Sequence, residues 1–170
     1  MRTFFSIAPD QKTAISINKW SELCWPALGR RIPLQNYHMT VAFLGETDET
    51  ALEGIAQMME PFSHRAFDVV LDEVSYWAGS DVLVIAPSKL PDELETLNKK
   101  CRKVANRIGA KGGAKNYQPH LTLARKLVSP PSAALIEPNF SFTVSSLELW
   151  SSIRRSDGAV YSTLGEWGLG

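Results

Sequence analysis

Two short stretches of this chain carry the same chemistry. His38-Met39-Thr40-Val41 and His120-Leu121-Thr122-Leu123 both read H-x-T-x with apolar x. In an extended chain successive side chains face opposite ways. Histidine and threonine therefore share one face, and the two apolar residues share the other. Each copy can anchor itself in a core and offer one imidazole and one hydroxyl to a cleft. The chain has 3 histidines, and two of them stand in this pattern. Each copy opens a strand-like run, Val41-Ala42-Phe43-Leu44 and Leu123-Ala124. A chance pair of polar-faced strands is the competing reading, and the duplication argues against it.

Two imidazoles across a cleft suit paired acid–base work near neutral pH. One takes a proton from a nucleophile while the other gives one to a leaving group. Two hydroxyls can donate hydrogen bonds to anionic oxygens between them. A phosphodiester fits such a site, because in-line phosphoryl transfer needs a base, an acid and donors at the equatorial oxygens. Two histidines and two threonines make a poor zinc set, so no metal and no cofactor is expected. A serine-hydrolase nucleophile elbow is absent.

The elements around the motifs follow from local pattern. Thr3 to Ala8 is aromatic and β-branched, stops at Pro9, and reads as a first strand. Asp10 stands at the N-cap of a helix with Ala14, Ile17, Ser21 and Cys24 on one face and Trp20 beside them, ending before Pro26. Gly29-Arg30-Arg31-Ile32-Pro33 is a basic loop. It is a candidate RNA-facing patch, although a solvated loop is the simpler reading. The first motif strand runs from Tyr37 to Leu44 and closes at Gly45. Thr47 or Asp48 can cap a second helix with Leu52, Ile55 and Met59 on its apolar stripe. Phe67 to Trp77 reads as one β-rich run with a bulge, returning through Val82 to Ala86. Leu94, Leu97, Cys101, Val104 and Ile108 recur at helical spacing up to Gly109. The stripe makes Cys101 a small buried residue rather than a nucleophile, and Cys24 reads the same way. Lys111 to Lys115 reads as a mobile loop with two positive charges. Phe140 to Ser151 and Ala159 to Trp167 form a hairpin about Ser156-Asp157-Gly158. His64, outside both motifs, reads as a surface residue.

The two halves also resemble each other. Ile7-Ala8-Pro9-Asp10 matches Ile85-Ala86-Pro87-Ser88: a strand ends, proline breaks it, and a polar residue stands near a helix start. Both halves read strand, helix, motif strand. Two lobes about a pseudo-twofold axis would bring both His–Thr pairs to one central cleft.

Composition sets the remaining bounds. The 170 residues suit one domain or two small lobes, and 44% hydrophobic content is ordinary for a globular chain. With 18 basic and 18 acidic residues the formal charge is zero, so contact with RNA must be local. Two cysteines make no disulfide framework, and no apolar stretch is long enough to span a bilayer. A cytoplasmic protein is expected.

His38-Met39-Thr40-Val41-Ala42-Phe43-Leu44-Gly45 and His120-Leu121-Thr122-Leu123-Ala124-Arg125 together resemble the 2H phosphoesterases. More closely they resemble the bacterial RNA 2′,3′-cyclic phosphodiesterases, also called 2′-5′ RNA ligases. The resemblance spans nearly the whole chain, including Arg2 to Ile7, the Trp77 region and the Leu147 to Trp167 hairpin; Tyr37 departs from the leucine usual before the first motif. It implies an α+β fold with two pseudo-symmetric lobes, each an antiparallel sheet with helices outside, forming a single bilobal domain over 1–170. It implies His38 as proton donor, His120 as proton acceptor, and Thr40 and Thr122 as phosphate holders. Phe43 and Arg125 lie five residues after each histidine. Strict alternation would turn them away from the cleft, and a bulge or strand end would have to re-aim them. If re-aimed, Phe43 could stack on a base and Arg125 could contact base or phosphate; otherwise Phe43 belongs to the core and Arg125 to the surface.

The implied activity is hydrolysis of RNA 2′,3′-cyclic phosphate ends to 2′-phosphates; apart from the resemblance, a monomer with no protein partner and no membrane contact is expected. Two alternatives remain: a ligase joining tRNA-like halves through a 2′-5′ linkage, and a non-catalytic nucleotide- or RNA-binding module.

Overall fold

The computed structural model describes residues 1–110, 113 and 116–170; the Lys111 to Lys115 loop reading therefore lies largely outside the described residues. The elements run β1 (Arg2–Ile7), α1 (Gln11–Cys24), β2 (Arg30–Arg31), a 3-10 turn (Leu34–Asn36), β3 (Met39–Glu46), α2 (Glu49–Met59) and β4 (Phe67–Leu71). They continue with β5 (Glu73–Trp77), β6 (Val82–Ala86), α3 (Asp92–Arg107), β7 (Leu121–Arg125), β8 (Phe140–Val144), β9 (Ser146–Arg155) and β10 (Gly158–Gly168). The fold is α+β with antiparallel strands.

One sheet carries the order β10-β9-β1-β3-β7-β6-β5, with β2 added to β7. β1, α1 and β3 repeat as β6, α3 and β7, and each outer strand pairs antiparallel with its motif strand. The halves are not separate sheets. β3 and β7 meet at a single antiparallel pair, Met39↔Leu121.

Local chemistry explains the helix starts. Asp10 accepts the Thr13 amide at 2.8 Å and caps α1. Asp48 accepts the Ala51 amide at 2.8 Å, while Thr47 stays buried against Thr3 at 3.1 Å, so Asp48 is the cap of α2. Ser88 does not repeat the role of Asp10. Its amide and hydroxyl both donate to Asp72 at 2.7 Å, and α3 begins after Pro91 with no side-chain cap. The same aspartate divides the run from Phe67 to Trp77 into two strands. β4 leaves to pair with β8 in a second, two-stranded sheet, while β5 pairs with β6. The run from Phe140 to Ser151 divides likewise at Ser145, between β8 and β9.

A continuous core lies beneath. Phe5, Ile17, Met39, Ile55, Leu94, Leu97, Cys101 and Leu121 are fully buried within it. Two α1-side indoles staple the 130s segment: Trp20 Nε1 donates to the Ile136 carbonyl at 2.8 Å, and Trp25 Nε1 to that of Ser132 at 2.7 Å. Among the described residues no helix is long and apolar enough to cross a membrane.

Candidate active site

The site begins from the one pair that joins the halves. Met39 and Leu121 are both fully buried. Their neighbours must point the other way, so His38, Thr40, His120 and Thr122 line the opposite face. Extending the antiparallel register one residue each way sets His38 across from Thr122 and Thr40 across from His120. Carried that far, the register would bring each imidazole toward the hydroxyl of the other motif.

Beyond that pair both motif strands contain the same irregularity. β1 pairs Ser6 with Thr40 and then Phe5 with Ala42, leaving Val41 as an extra residue. β6 pairs Val84 with Thr122 and then Leu83 with Ala124, leaving Leu123 as an extra residue. Both bulges fall three residues after the histidine. One extra residue reverses the alternation. Val41 and Ala42 are consecutively buried, as are Leu123 and Ala124, while Phe43 and Arg125 emerge exposed on the histidine side. The Phe43 ring lies 6.1 Å from that of Phe4, which itself lies 5.3 Å from His38.

Each bulge frees a carbonyl that must find a partner. Asn98 of α3, buried, donates its Nδ2 to the Val41 carbonyl at 2.7 Å. The Leu123 carbonyl instead accepts the backbone amide of Ile32 at 2.9 Å. Tyr117 donates its hydroxyl to the Thr40 carbonyl at 3.0 Å, fixing the backbone of the first motif.

The imidazoles are oriented alike. His38 Nδ1 lies 2.7 Å from the Asn36 carbonyl, and His120 Nδ1 lies 2.8 Å from the Gln118 carbonyl. A carbonyl only accepts, so Nδ1 carries the proton in each ring and Nε2 is the atom left for chemistry. Burial holds both imidazoles below the ordinary histidine range. The carbonyl bonds pull upward, while the charge of Arg125 presses both further down, and His120 adds to the effect at His38.

The surroundings of the two rings differ. Phe4, Trp150 and Tyr161 enclose His38 at ring-centroid distances of 5.3, 4.9 and 5.3 Å. His120 has Trp77 against it at 4.4 Å. Phe4, Trp150 and Tyr161, with Asn98 and Tyr117, are residues that sequence reasoning did not single out. Strand alternation gives the face of Phe4 or Trp150, but not the strands it will lie beside.

His64 is half-buried rather than a surface residue. Its Nδ1 meets Lys100 Nζ at 3.3 Å, in a cavity of about 430 Å³ that includes no motif residue. Cys24 and Cys101 are free and buried, and burial pushes the Cys101 thiol upward, which suits packing rather than attack. Among the described residues no three histidine, cysteine or carboxylate groups are clustered as a metal site would need.

A model of the 2′-5′ RNA ligase superfamily matches residues 9–155 of this chain. The RNA 2′,3′-cyclic phosphodiesterase of Escherichia coli (strain K12) is 27% identical over 172 residues, covering 99% of this chain and 96% of that protein. A protein of the same name from Aeropyrum pernix is 24% identical over 143 residues, with 78% and 81% coverage. The crystal structure of E. coli LigT complexed with 3′-AMP superposes with a TM-score of 0.89 at 26% identity, covering 99% of this chain and 97% of that one.

Proposed function

From the premise that this chain belongs to the 2′-5′ RNA ligase superfamily, we propose that it is an RNA 2′,3′-cyclic phosphodiesterase, opening cyclic ends to 2′-phosphomonoesters. The observation that carries this is the single bridging pair, Met39↔Leu121, with a histidine and a threonine on either side of it in both strands. An equatorial pair of hydroxyl donors flanked by two imidazoles is the donor arrangement that in-line displacement at phosphorus requires.

In this mechanism His120 Nε2 takes a proton from a water in line with the P–O3′ bond. The water oxygen attacks phosphorus, the P–O3′ bond breaks, and His38 Nε2 gives its proton to the departing O3′. Thr40 and Thr122 donate to the non-bridging oxygens. The product carries a 2′-phosphate and a free 3′-hydroxyl, and solvent exchange resets both rings. The choice of His38 as acid follows the family resemblance. Its depressed free-state affinity for a proton rises when the phosphate anion enters, since an opposite charge at hand favours the imidazolium. Phe43 on the cleft side supports base stacking, and Arg125 supports phosphate binding. The same steps with a 5′-hydroxyl in place of water form a 2′-5′ linkage, so ligation belongs to the same site. Water is far more concentrated than any RNA end, so hydrolysis dominates in dilute solution. The whole of 1–170 would act as one bilobal unit, a cytoplasmic monomer.

The test is turnover of 2′,3′-cyclic nucleotides and cyclic-ended oligonucleotides in EDTA, with product analysis. The expected product is the 2′-phosphate, formed at a rate that chelation does not change, with a bell-shaped pH profile reporting the two coupled imidazoles. A 3′-phosphate product would reverse the leaving group. Loss of turnover on chelation, restored by a divalent ion, would overturn the two-histidine mechanism. Nucleotide binding without turnover would leave a binding module.

A further inference from the structure

Two adjacent arginines, Arg30 and Arg31, make up β2, and the structure gives them different work. β3 leaves β7 after the Met39↔Leu121 pair, and β2 takes over the same edge through Arg31↔Ala124 and Arg30↔Arg125. Arg31 turns inward with Ala124. Its guanidinium donates to Ser21 Oγ at 2.8 Å and to the Trp25 carbonyl, which fixes the strand to the C-terminal end of α1. Alternation turns Arg30 to the other face, beside Arg125, and that is the face of the two histidines. Arg30 is exposed.

Directly opposed residues of an antiparallel pair have Cβ atoms roughly 4.5–5.5 Å apart, and like charges there are destabilising. Among the described residues, neither Arg30 nor Arg125 takes part in an ion pair. The pair costs stability in the free protein unless an anion lies between the two guanidiniums. Planar, bidentate guanidinium forks suit the two non-bridging oxygens of a phosphodiester. Arg125 is close enough to the cleft for its charge to be felt by both His38 and His120. Arg30 stands one strand further out.

We infer that Arg30 and Arg125 clamp a non-reacting phosphodiester of the RNA chain next to the scissile phosphate. Arg30 is thus a specificity residue that makes an oligonucleotide, rather than a cyclic mononucleotide, the preferred substrate. The inference rests on the phosphodiesterase reading. A cyclic mononucleotide has no such second phosphate and cannot use the clamp.

The experiment compares kcat/KM for a 2′,3′-cyclic mononucleotide and a cyclic-ended trinucleotide, in the full chain and in R30Q. R30Q is expected to cut the trinucleotide's advantage about tenfold, the weight of one charge-assisted contact, while mononucleotide turnover changes less than about twofold. The log–log salt slope of oligonucleotide binding should flatten by about 0.7, as for one contact to a single-stranded phosphate. R30K should restore the slope but not the full preference. Without RNA, R30Q should melt no lower than the parent, since it relieves a repulsion; a purely structural arginine would lower the melting point. If R30Q impairs only ligation of a base-paired 5′-hydroxyl strand and leaves the trinucleotide's advantage intact, the two arginines do not hold the cyclic-ended chain and the inference is overturned. An unchanged substrate ratio, salt slope and ligation yield overturns it. Failure of the parent to turn over either substrate would count against the phosphodiesterase reading alone, because binding of a 3′-phosphorylated trinucleotide still reports on Arg30.

Discussion

The His38 half and the His120 half share a backbone but not an environment. Each has a histidine whose Nδ1 is held by the carbonyl two residues earlier, a buried apolar residue, a threonine, and a bulge three positions after the histidine. Around that shared frame, three aromatic rings enclose His38, whereas one faces His120, whose carbonyl bond is exposed. The open side is also where β2 brings Arg30 beside Arg125. Symmetry of the backbone orients two imidazoles alike, each with Nδ1 on a carbonyl, and the proposed mechanism uses them as its two proton carriers. Under the proposed mechanism the asymmetry of the walls would supply direction: an apolar, stacking side suited to a nucleoside and an open, cationic side suited to water and to the phosphate backbone of the RNA chain.

The strongest way to break the comparison is to remove one imidazole at a time. His38→Ala and His120→Ala should each lower turnover by a hundredfold or more, the scale of a lost general acid or base. The double variant should be little worse than either single one, because the two act in one step. Nucleotide product binding should suffer less than turnover in both. If His64→Ala proved as damaging, the pairing of the two motifs would not be what drives the reaction. A large loss at one motif histidine and almost none at the other would show that the symmetry is structural only.

Next in size are the hydroxyls. Thr40→Ala and Thr122→Ala should each remove one charge-assisted hydrogen bond, worth roughly 1.5–3 kcal/mol, or roughly ten- to a hundredfold in kcat/KM. Extended one residue each way from Met39↔Leu121, the register would set each threonine across from the other motif's histidine. Equal losses would sharpen the twofold picture, while an effect confined to Thr122 would place the phosphate on the His38 side.

What could be read in the residues beforehand was local. The duplicated H-x-T, the Asp10 cap and the stripe from Leu94 to Cys101 are each written within a turn or a strand, and each stands where local chemistry puts it. Alternation also required a bulge if Phe43 and Arg125 were to reach the cleft, and β3 and β7 each contain one. Partners distant in sequence were not legible. Asp72 divides a run that looks continuous because it binds Ser88, sixteen residues on. Ser145 divides another because β8 finds β4, and no local signal marks that pairing. The aromatic enclosure of His38 draws on β1, β9 and β10, whose neighbourhood only the assembled sheet defines.

The two bulges offer a more modest contrast in stability. Val41 depends on the Asn98 side chain for its carbonyl, whereas Leu123 depends on the Ile32 backbone. Asn98→Ala should therefore destabilise by about 1–3 kcal/mol, the cost of an orphaned buried acceptor. No single side-chain change can do the same at Leu123. Urea unfolding with an unchanged slope would report this as a shifted midpoint. A midpoint within error of the parent would mean that water replaces the amide and that β3 is open to solvent at the bulge.

The smallest effect is the pH dependence of stability, and its sign follows from burial. His38, His120 and His64 are all held below the ordinary value of 6.5, chiefly by desolvation. The unfolded chain therefore takes up protons that the folded one resists. Stability is full above about pH 6.5 and falls as the pH drops from there toward the folded-state values, after which these groups contribute no further slope. Asp10 and Asp72 are also held low, from 3.8, so their loss begins only in stronger acid and leaves the window near pH 5–6.5 to the histidines. Thermal unfolding across that window should show the parent losing stability on acidification. His38→Gln and His120→Gln should each flatten the slope, and His64→Gln should flatten it independently, since His64 shares no cavity with the motifs. Bound inorganic phosphate should reverse the contribution of the motif pair, by favouring the imidazolium forms in the folded state, and leave that of His64 alone. A slope that phosphate leaves untouched would mean that the anion does not sit between His38 and His120, and the two halves would then have to be treated as separate sites.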